Sequence, residues 1–561
     1  MSRNKKFYIT TPIFYVNARP HIGSAYTVFV ADILARYHRI KGDDVYFLTG
    51  TDENSQKNID AAKEAKKDIR SYLDEMAAIW QETWDSLGIS NDDFIRTTEE
   101  RHIKAVHKFF REVFKKGDIY EGIYEGYYCG GCEAFLSKDD LVEGMCPLHK
   151  RKPQYLREKN LFFKLTKYRD KLLEHIKKHP EFIEPESRRN EVINYIKDFM
   201  TDFSISRENA EWGIAVPEVT EIRNPKFPTG VTSHRTGIQK AVNTYALEVN
   251  KQRVLYVWFD ALINYISAIG YGTDEKKFKK WWPVDLHLIG KDIVKFHCAY
   301  WPAMLMSAGL PLPKKIFAHG FFTVDGQKMS KSLGNIIDPV DVSKKYGIDA
   351  LRYFLIREIK FGEDGDFSLK RLEEVYNSEL ANEFGNLINR VLSMVEKYFD
   401  GKIPKAANLK EFYKETKIVV KNYETAMDEL RLHEAIEAIL SLVRFNNQLI
   451  DREKPWELAK KSKIINPQLT SLGQEKQESK IINSDINGRR LANVIYFLLD
   501  SLRVLGWLLW PIMPDMAEKI WEQLGILKDE KKKRWDKGIV FGGLKMGKKV
   551  KKGEILFPKF S

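Results

Sequence analysis

The sequence predicts a multidomain α/β protein in which a second domain interrupts the first and the C-terminal third is a helical bundle. Strand patterns alternate with helical patterns in the first 120 residues, which is typical of βαβ units. Short aromatic segments and clustered cysteines replace this pattern from residue 117 to about residue 225, and it resumes from about residue 254. Helical periodicity dominates beyond about residue 368. At 561 residues, the chain exceeds what one hydrophobic core of roughly 250–300 residues can accommodate.

The individual elements follow from hydrophobic patterning. The segment FYITTPIFYV predicts the first strand, and the helix after it is expected to end at about Ile40, before Gly42. The segment DVYFLTG predicts the second strand, which is followed by a long helical stretch from about Ile59. The α/β pattern then resumes in VLYVWFDALINYISAI and DLHLIGKDIVKFHCAYWPAML. Residues 219–252 and 461–489 lack periodicity and are predicted to be irregular inserts.

Composition and charge limit the expected location and partners of the chain. The N-terminal residues MSRNKKFYITT contain no apolar run with a small-residue cleavage site, so we expect a cytoplasmic protein. Asp500 and Arg503 interrupt the segment ANVIYFLLDSLRVLGWLLWPIM, which favours a buried helix over a membrane span. The formal net charge is +13, and residues 531–561 contain 11 basic and 2 acidic residues. Such a basic tail fits either a nucleic-acid partner or an ordinary solvated surface.

Three of the four cysteines lie between residues 129 and 146, which indicates a metal site rather than a disulfide framework. The pairs Cys129-x₂-Cys132 and Cys146-x₂-His149 are separated by 13 residues, a spacing typical of zinc ligands. Three thiolates and one imidazole leave no open coordination position. We therefore predict one structural zinc ion at these four residues.

A second motif is the pentapeptide KMSKS of residues 328–332, which an Asp325-Gly326 turn precedes in GFFTVDGQKMSKSLGNIID. It resembles the second signature of class I aminoacyl-tRNA synthetases, whose first signature is His-x-Gly-His after the first strand. Residues 21–24 occupy that first position as His-Ile-Gly-Ser, so Ser24 replaces the second histidine. Together with TPIFYVNARPHIG, FLTGTDE, YVWFDALINY and HLIGKDIVKFH, these motifs resemble the methionyl-tRNA synthetase family over nearly the whole chain.

The resemblance implies a domain plan that agrees with the changes in sequence pattern. We expect a Rossmann-type catalytic domain at residues 1–116 and 225–325, a zinc-bearing connective domain at 117–224, a KMSKS-bearing domain at 326–370 and a helical anticodon-binding domain at 371–561. Because the chain ends near Pro558 without the appended tRNA-binding domain of some relatives, a monomer is expected. Asn54-Ser55, where the family usually has His-Gly, is a further departure.

The resemblance also implies formation of methionyl-adenylate from methionine and ATP, with Mg²⁺ accompanying ATP, and transfer to the 3′ end of methionine tRNA. The expected catalytic residues are His21, Lys328 and Lys331. The expected ATP-binding residues are His21, Gly23, Ser24, Gly290, Lys291, Asp292, Lys328 and Lys331. The expected methionine-binding residues are Ile13, Tyr15, Asp52, Trp258, Ala261, Tyr265, Phe296 and His297. Among them, Asp52 is expected to hold the ammonium group, and Tyr265 and His297 to lie near the sulfur.

Asn386 and Arg390, four residues apart on a predicted helix, and Trp456 in REKPWELAK match the family's anticodon-reading residues. Two alternatives stay open at the level of sequence. A class I synthetase for valine, isoleucine or leucine would carry a large editing domain, and the cysteine enzyme places zinc in its amino-acid pocket. A tRNA-binding paralogue without catalysis is suggested by Ser24, but the presence of Lys331 and Asp52 argues against it.

Overall fold

The computed structural model describes residues 5–129, 134–136, 138, 141–147, 150–208, 210–219, 253–329, 334–407, 409–462 and 486–560. The chain divides into two compact units. We call Lys6–Ala31 together with Val45–Gly320 the sheet unit. We call Met1–Lys5, Asp32–Asp44 and Phe321–Ser561 together the bundle unit.

The sheet unit is built on a six-stranded sheet formed by the apolar runs of the sequence. The strands of this part of the chain, six of which form that sheet, are β1 (Lys6–Tyr15), β2 (Asp44–Asp52), β3 (Asp93–Arg96), β4 (Ile119–Cys129), β5 (Ala134–Leu136), β6 (Gln154–Phe163), β7 (Ile183–Glu184), β8 (Phe203–Ser204), β9 (Ser206–Arg207), β10 (Val254–Leu255), β11 (Leu286–Gly290) and β12 (Ile316–His319). The order in the main sheet is β3-β2-β1-β11-β12-β7. The β1–β11, β11–β12, β12–β7 and β2–β3 pairs are parallel, as the βαβ pattern predicts.

The helices of this part of the chain are α1 (Ile22–Lys41), α2 (Gln56–Glu64), α3 (Ile69–Ser86), α4 (Glu100–Lys115), α5 (Arg169–Lys178), α6 (Glu186–Asn194), α7 (Val257–Ala261), α8 (Asn264–Ser267), α9 (Glu275–Trp281) and α10 (Trp301–Ala308). The predicted first strand, first helix and second strand are confirmed as β1, α1 and β2. The helical stretch from Ile59 is broken, because Lys66 adopts a positive φ of 54°. Asp68 then caps α3 by accepting the Ser71 N–H at 3.0 Å.

The residues predicted as a connective domain form a separate antiparallel sheet in the order β5-β4-β6-β8. One segment of this region behaves differently, because β7 adds to the main sheet with Ile183 opposite Ile316. The two-residue strand is too short to give a periodic signal, so its pairing could not be predicted from the sequence. Residues 220–252, which make up most of the first predicted insert, lie outside the described residues.

The bundle unit begins with strands β13 (Phe322–Val324), β14 (Gln327–Lys328) and β15 (Gly365–Phe367). Asp325 and Gly326 both have positive φ, as expected for the predicted tight turn between β13 and β14. The helices that follow are α11 (Pro339–Tyr346), α12 (Ile348–Glu358), α13 (Leu369–Val375), α14 (Asn386–Phe399), α15 (Tyr413–Asp428), α16 (Leu432–Glu453), α17 (Pro455–Lys461), α18 (Ile486–Leu509), α19 (Pro514–Gln523), α20 (Leu527–Glu530) and α21 (Trp535–Gly538).

Helix α18 is the centre of this bundle. By length and composition alone it could cross a membrane, but 94% of its most apolar stretch is buried inside the protein. The expectation of a buried helix is therefore confirmed. Residues 463–485, most of the second predicted insert, lie outside the part of the chain that the structure describes.

Candidate active site

The N-terminus of α1 is closed by a reciprocal cap between His21 and Ser24. The Gly23 N–H donates to His21 Nδ1 at 3.1 Å, and the His21 N–H donates to Ser24 Oγ at 3.0 Å. The Ser24 hydroxyl donates in turn to the His21 carbonyl oxygen at 2.7 Å. This arrangement is similar to a capping box, in which side chains at both ends of the first turn satisfy backbone N–H groups. Ser24 therefore holds the backbone of His21 in place.

The same cap fixes the protonation of the imidazole. Because a backbone N–H can only donate, His21 Nδ1 carries a lone pair, and the neutral ring has its proton on Nε2. Burial lowers the pKa of His21, which also favours the neutral ring. His21 thus offers one Nε2–H donor at the positive end of a helix, where phosphate oxygens are stabilised. The Ser24 hydroxyl could donate to ATP only by giving up its bond to the His21 carbonyl oxygen. Contact between Ser24 and ATP therefore stays a prediction.

Strand β2 ends at Asp52, at the carboxyl edge of the parallel sheet where α/β folds bind ligands. Asp52 is 4% exposed; its Oδ1 accepts the Asn54 N–H at 3.3 Å, and its carbonyl oxygen accepts from Asn58 Nδ2 at 2.9 Å. The next residue, Glu53, is fully buried and is held by an arginine. Arg96 donates to both Glu53 carboxylate oxygens, at 2.7 and 3.1 Å.

A second carboxyl group near Asp52 was missed by the sequence reasoning. Asp260, on α7, is fully buried, and Asn54 Nδ2 donates to its Oδ2 at 3.0 Å. Its Oδ1 has no hydrogen-bond partner among the described residues. Burial and the Asp52 carboxylate raise the pKa of Asp260 well above its ordinary value. The available signal was the single acid within the largely apolar run VWFDALINYI.

The predicted side-chain pocket contains an uncharged hydrogen-bonded pair. His297 Nδ1 donates to the Ile293 carbonyl oxygen at 3.1 Å, so its Nε2 accepts the Tyr265 hydroxyl at 2.7 Å. Burial lowers the pKa of His297 to about 4, which keeps the ring neutral. Trp258 stacks on Phe296 with ring centroids 3.7 Å apart. These groups form a neutral, polarizable surface.

The other predicted site residues that the structure describes lie on β1, on α7, at the end of β11 and at β14. Ile13 and Tyr15 on β1 are partly buried and pack against the hydrophobic core that includes Tyr265 and Phe296. Ala261 is buried on α7. Gly290, Lys291 and Asp292 lie at the end of β11 and in the turn after it. Lys328 is described by its backbone alone, in β14, and Lys331 lies outside the described residues.

Half of the predicted zinc ligands can be placed. Cys129 at the end of β4 and Cys146 are both buried, with 3% and 1% exposure. The Cys146 N–H donates to the Arg151 carbonyl oxygen at 2.9 Å. Cys132 and His149 lie outside the described residues, and among the residues that are described, no three potential metal ligands form a group.

The predicted anticodon residues lie on the bundle unit. Asn386 and Trp456 are exposed at the starts of α14 and α17, and 39% of Trp456 is accessible. Arg390 donates to Asp451 Oδ1 at 2.8 Å, near the end of α16. Asp451, which the sequence reasoning missed, thus holds the arginine close to the segment that carries Trp456.

A family model described as tRNA synthetases class I (M) matches residues 7–155, 148–224 and 236–392. The parallel sheet and the site at its carboxyl edge are accordingly those of a class I aminoacyl-tRNA synthetase. The methionine–tRNA ligase of Thermotoga maritima is 44% identical over 565 residues, which cover 99% of this chain and 80% of that protein. The enzyme of Bacillus subtilis is 41% identical over 575 residues, which cover 99% of this chain and 78% of that protein.

A solved structure of Mycobacterium tuberculosis methionyl-tRNA synthetase in complex with methionyl-adenylate superposes with a TM-score of 0.85. It is 35% identical and covers 99% of this chain and 100% of that chain. The chain therefore belongs to the methionyl-tRNA synthetase family, as its motifs predict. It is an enzyme of the aminoacyl-tRNA synthetase class, and the alternative of a synthetase for another amino acid is excluded by these relationships.

Proposed function

We propose that this chain forms methionyl-adenylate from methionine and ATP and transfers the methionyl group to the 3′ end of methionine tRNA. The observation that carries the proposal is the neutral Tyr265–His297 pair in the same unit as the Trp258–Phe296 stack. Asp52 acts electrostatically on Tyr265, so an acid lies near this neutral surface. An acid suits the ammonium of methionine, and an uncharged aromatic surface suits its thioether.

In the first step, the methionine carboxylate attacks the α-phosphate of ATP and pyrophosphate leaves. The protein needs no nucleophilic side chain, so it contributes orientation and compensation of phosphate charge. His21 Nε2 and the N–H groups at the start of α1 would bind phosphate oxygens, and Gly23 lets them approach the backbone. Lys328 and Lys331 would place positive charge near the departing pyrophosphate. Mg²⁺ bound with ATP would neutralise further phosphate charge.

The adenine and ribose of ATP would lie along the edge of the sheet formed by the end of β11. Gly290 ends this strand, and Lys291 and Asp292 follow it at the same edge as Asp52. This is the edge at which parallel α/β sheets bind nucleotides. The methionine side chain would lie between Ile13, Tyr15 and Ala261 on one side and the aromatic residues of the pocket on the other.

For tRNA recognition, Trp456 offers an exposed aromatic face on which an anticodon base can stack. Asn386 and Arg390 would read base edges, with Asp451 holding the arginine before tRNA binds. The basic residues after 531 would add contacts to phosphate groups. We also propose that the protein is cytoplasmic and monomeric.

We further propose one structural zinc ion held by Cys129, Cys132, Cys146 and His149. The burial of the Cys129 and Cys146 thiols fits this role, because zinc binds thiolates shielded from solvent in closed sites. The ion would cross-link the connective segment and take no part in the chemistry. Metal analysis of the purified protein should find one zinc per chain, and Cys132→Ser should remove it.

Methionine-dependent exchange of pyrophosphate into ATP tests the proposed reaction. Lys331→Ala should abolish most of the exchange, because it removes positive charge from the leaving group. Trp456→Ala should leave exchange unchanged and raise the KM for tRNA in charging by about fivefold to a hundredfold, since base stacking contributes about 1–3 kcal/mol. Trp456→Phe keeps an aromatic face and is the matched control. Equal damage to both reactions by both alanine variants would contradict the separation of roles.

The sequence left open a tRNA-binding paralogue without catalysis because of Ser24. The relationship to methionine–tRNA ligases and the reciprocal cap, in which Ser24 preserves the position of His21, both favour the enzyme. Methionine-dependent pyrophosphate exchange by the wild-type protein is the direct test.

A further inference from the structure

Asp260 is a buried acid that the reaction described above does not use. It is fully buried on α7, the helix that also carries Trp258 and Ala261. One carboxylate oxygen accepts the Asn54 side-chain amide at 3.0 Å, and the other has no hydrogen-bond partner among the described residues. A buried polar atom without a partner costs about 1–3 kcal/mol, so its persistence calls for an explanation.

Asn54 connects Asp260 to Asp52. Its backbone N–H donates to Asp52 Oδ1 at 3.3 Å, while its side chain donates to Asp260 Oδ2. One residue therefore binds both carboxyl groups with two of its N–H groups. The strongest influence of another side chain on Asp260 is the like charge of Asp52, so Asp260 has, among the described residues, no cation of the kind that Arg96 provides for Glu53.

We propose that Asp260 is a second carboxyl group of the subsite that takes the α-ammonium of methionine, joined to Asp52 through Asn54. The proposal rests on the proposed function, because it takes Asp52 as the first ammonium-binding residue. A primary ammonium has three N–H donors and one positive charge. It can donate to both acids and supply a counter-charge to Asp260.

Binding of the ammonium should change the protonation of Asp260. Burial and the like charge of Asp52 favour the protonated form of Asp260, so the free enzyme holds a proton on this carboxyl group. When the ammonium enters, Asp260 ionises and that proton passes to solvent. No bond to methionine forms or breaks in this exchange. We therefore expect release of one proton for each methionine bound.

The other titratable groups around the pair do not account for this release. Tyr265 and His297 are buried and hydrogen-bonded to each other, and burial raises the pKa of the phenol and lowers that of the imidazole to about 4. His287 is buried beside Tyr265, and burial lowers its pKa as well. Arg207 lies over the Tyr256 ring, four residues before Asp260 in the chain.

Calorimetric titration of wild-type enzyme with methionine, in two buffers of different ionisation enthalpy at one near-neutral pH, measures the protons released. The expected value is close to one proton per methionine. Two methionine analogues show whether the ammonium of the ligand causes the proton release. The amine 3-(methylthio)propylamine keeps the ammonium, and its binding should release the proton. The acid 4-(methylthio)butanoate has no ammonium, and its binding should release none. Equal release with both ligands, or no release with methionine, would overturn the proposal.

Asp260→Asn tests the residue itself. Asparagine has the same shape and can still accept from Asn54, but it cannot ionise. Proton release should disappear, and methionine affinity should fall by about tenfold or more, as for loss of a hydrogen bond to a charged group. ATP affinity should stay unchanged. Wild-type affinity and undiminished proton release in this variant would contradict the proposal.

Asp52→Asn separates this proposal from the proposed function. If Asp52→Asn weakens methionine binding while Asp260→Asn does not, Asp260 is excluded from the subsite and the proposed function stands. If neither change affects methionine binding, the assignment of the methionine pocket itself is wrong.

Discussion

In the bundle unit, Asp500 is fully buried and accepts from the equally buried Arg503 at 2.8 Å; Asp32 and Arg352 form a second buried pair at 2.7 Å. In the sheet unit, Asp260 is just as buried, but its hydrogen-bond partner is an amide, and the side-chain charge that acts most strongly on it is that of another acid. The difference separates two uses of buried charge. These two acids of the bundle unit are neutralised by arginines of the same unit, whereas the pocket contains an acid whose counter-charge the substrate can supply.

The contrast is a property of the pocket rather than of the whole sheet unit. Glu53, adjacent to Asp52 in sequence, is fully buried and receives both N–H groups of an Arg96 fork. Thr51 donates to the same carboxylate at 2.8 Å. The sheet unit therefore contains both an acid compensated by an arginine, Glu53, and an acid without such a cation among the described residues, Asp260, and Asp260 is linked through Asn54 to the residue expected to bind the substrate's ammonium.

The largest effect should come from breaking a compensated pair. Arg503→Met leaves Asp500 buried without a cation, which typically destabilises a protein by about 3–5 kcal/mol. The free energy of unfolding of the protein is measured by urea denaturation. The double variant with Asp500→Leu should recover most of the loss, and Asp260→Asn should cost little or nothing. An Asp260→Asn variant destabilised as much as Arg503→Met would remove the distinction between the two kinds of acid.

Asp349 provides an intermediate case within the bundle. Its Oδ2 accepts the Met516 N–H at 2.7 Å, and burial raises its pKa to about 7. Because the folded protein then binds a proton more tightly than the unfolded chain, stability should fall as pH rises from about 4 to about 7. Asp349→Asn should abolish this part of the pH dependence and stabilise the protein above neutral pH. Parallel stability profiles for wild type and variant would show that Asp349 does not titrate in this range.

A smaller effect is expected at the N-terminus of α1, where His21 is a neutral hydrogen-bond donor. His21→Ala should slow methionyl-adenylate formation by at least about tenfold, or about 1.4 kcal/mol, because it removes the Nε2 donor. Ser24→Ala should slow it less, since it removes only the cap that orients His21. Single-turnover measurement of adenylate formation compares the two. A greater loss in Ser24→Ala would assign the main contact to Ser24.

Much of the fold could be predicted because long apolar runs and motifs are local signals. Strand β1, helix α1 and the buried helix α18 each follow from periodicity over ten or more residues. Within the site, Asp52, Tyr265 and His297 could be selected because the family resemblance places them. The two loop residues that differ from the usual family sequence, Asn54 and Ser55, each have a structural role. Asn54 links two acids, and Ser55 caps α2 by accepting the Asn58 N–H at 3.3 Å.

Other features depend on contacts between residues distant in sequence. Asp260 and Asn54 are 206 residues apart, and no spacing rule predicts that an amide from one loop will bind a carboxyl group from a helix. Asp451 is likewise 61 residues from Arg390. The pairing of β7 with β12 involves two residues, too few for a periodic pattern. In each case burial and pairing in the folded chain decide the role of the residue.

The pH dependence of methionine affinity tests most directly whether the substrate supplies a counter-charge to Asp260. If Asp260 must lose a proton to bind the ammonium, affinity should rise about tenfold per pH unit below the titration of Asp260 and level off above it. His297, whose pKa lies at about 4, should not contribute near neutral pH. Asp260→Asn should give weaker affinity that does not vary with pH in this range. Wild-type affinity that is independent of pH, or an identical slope in Asp260→Asn, would contradict the account.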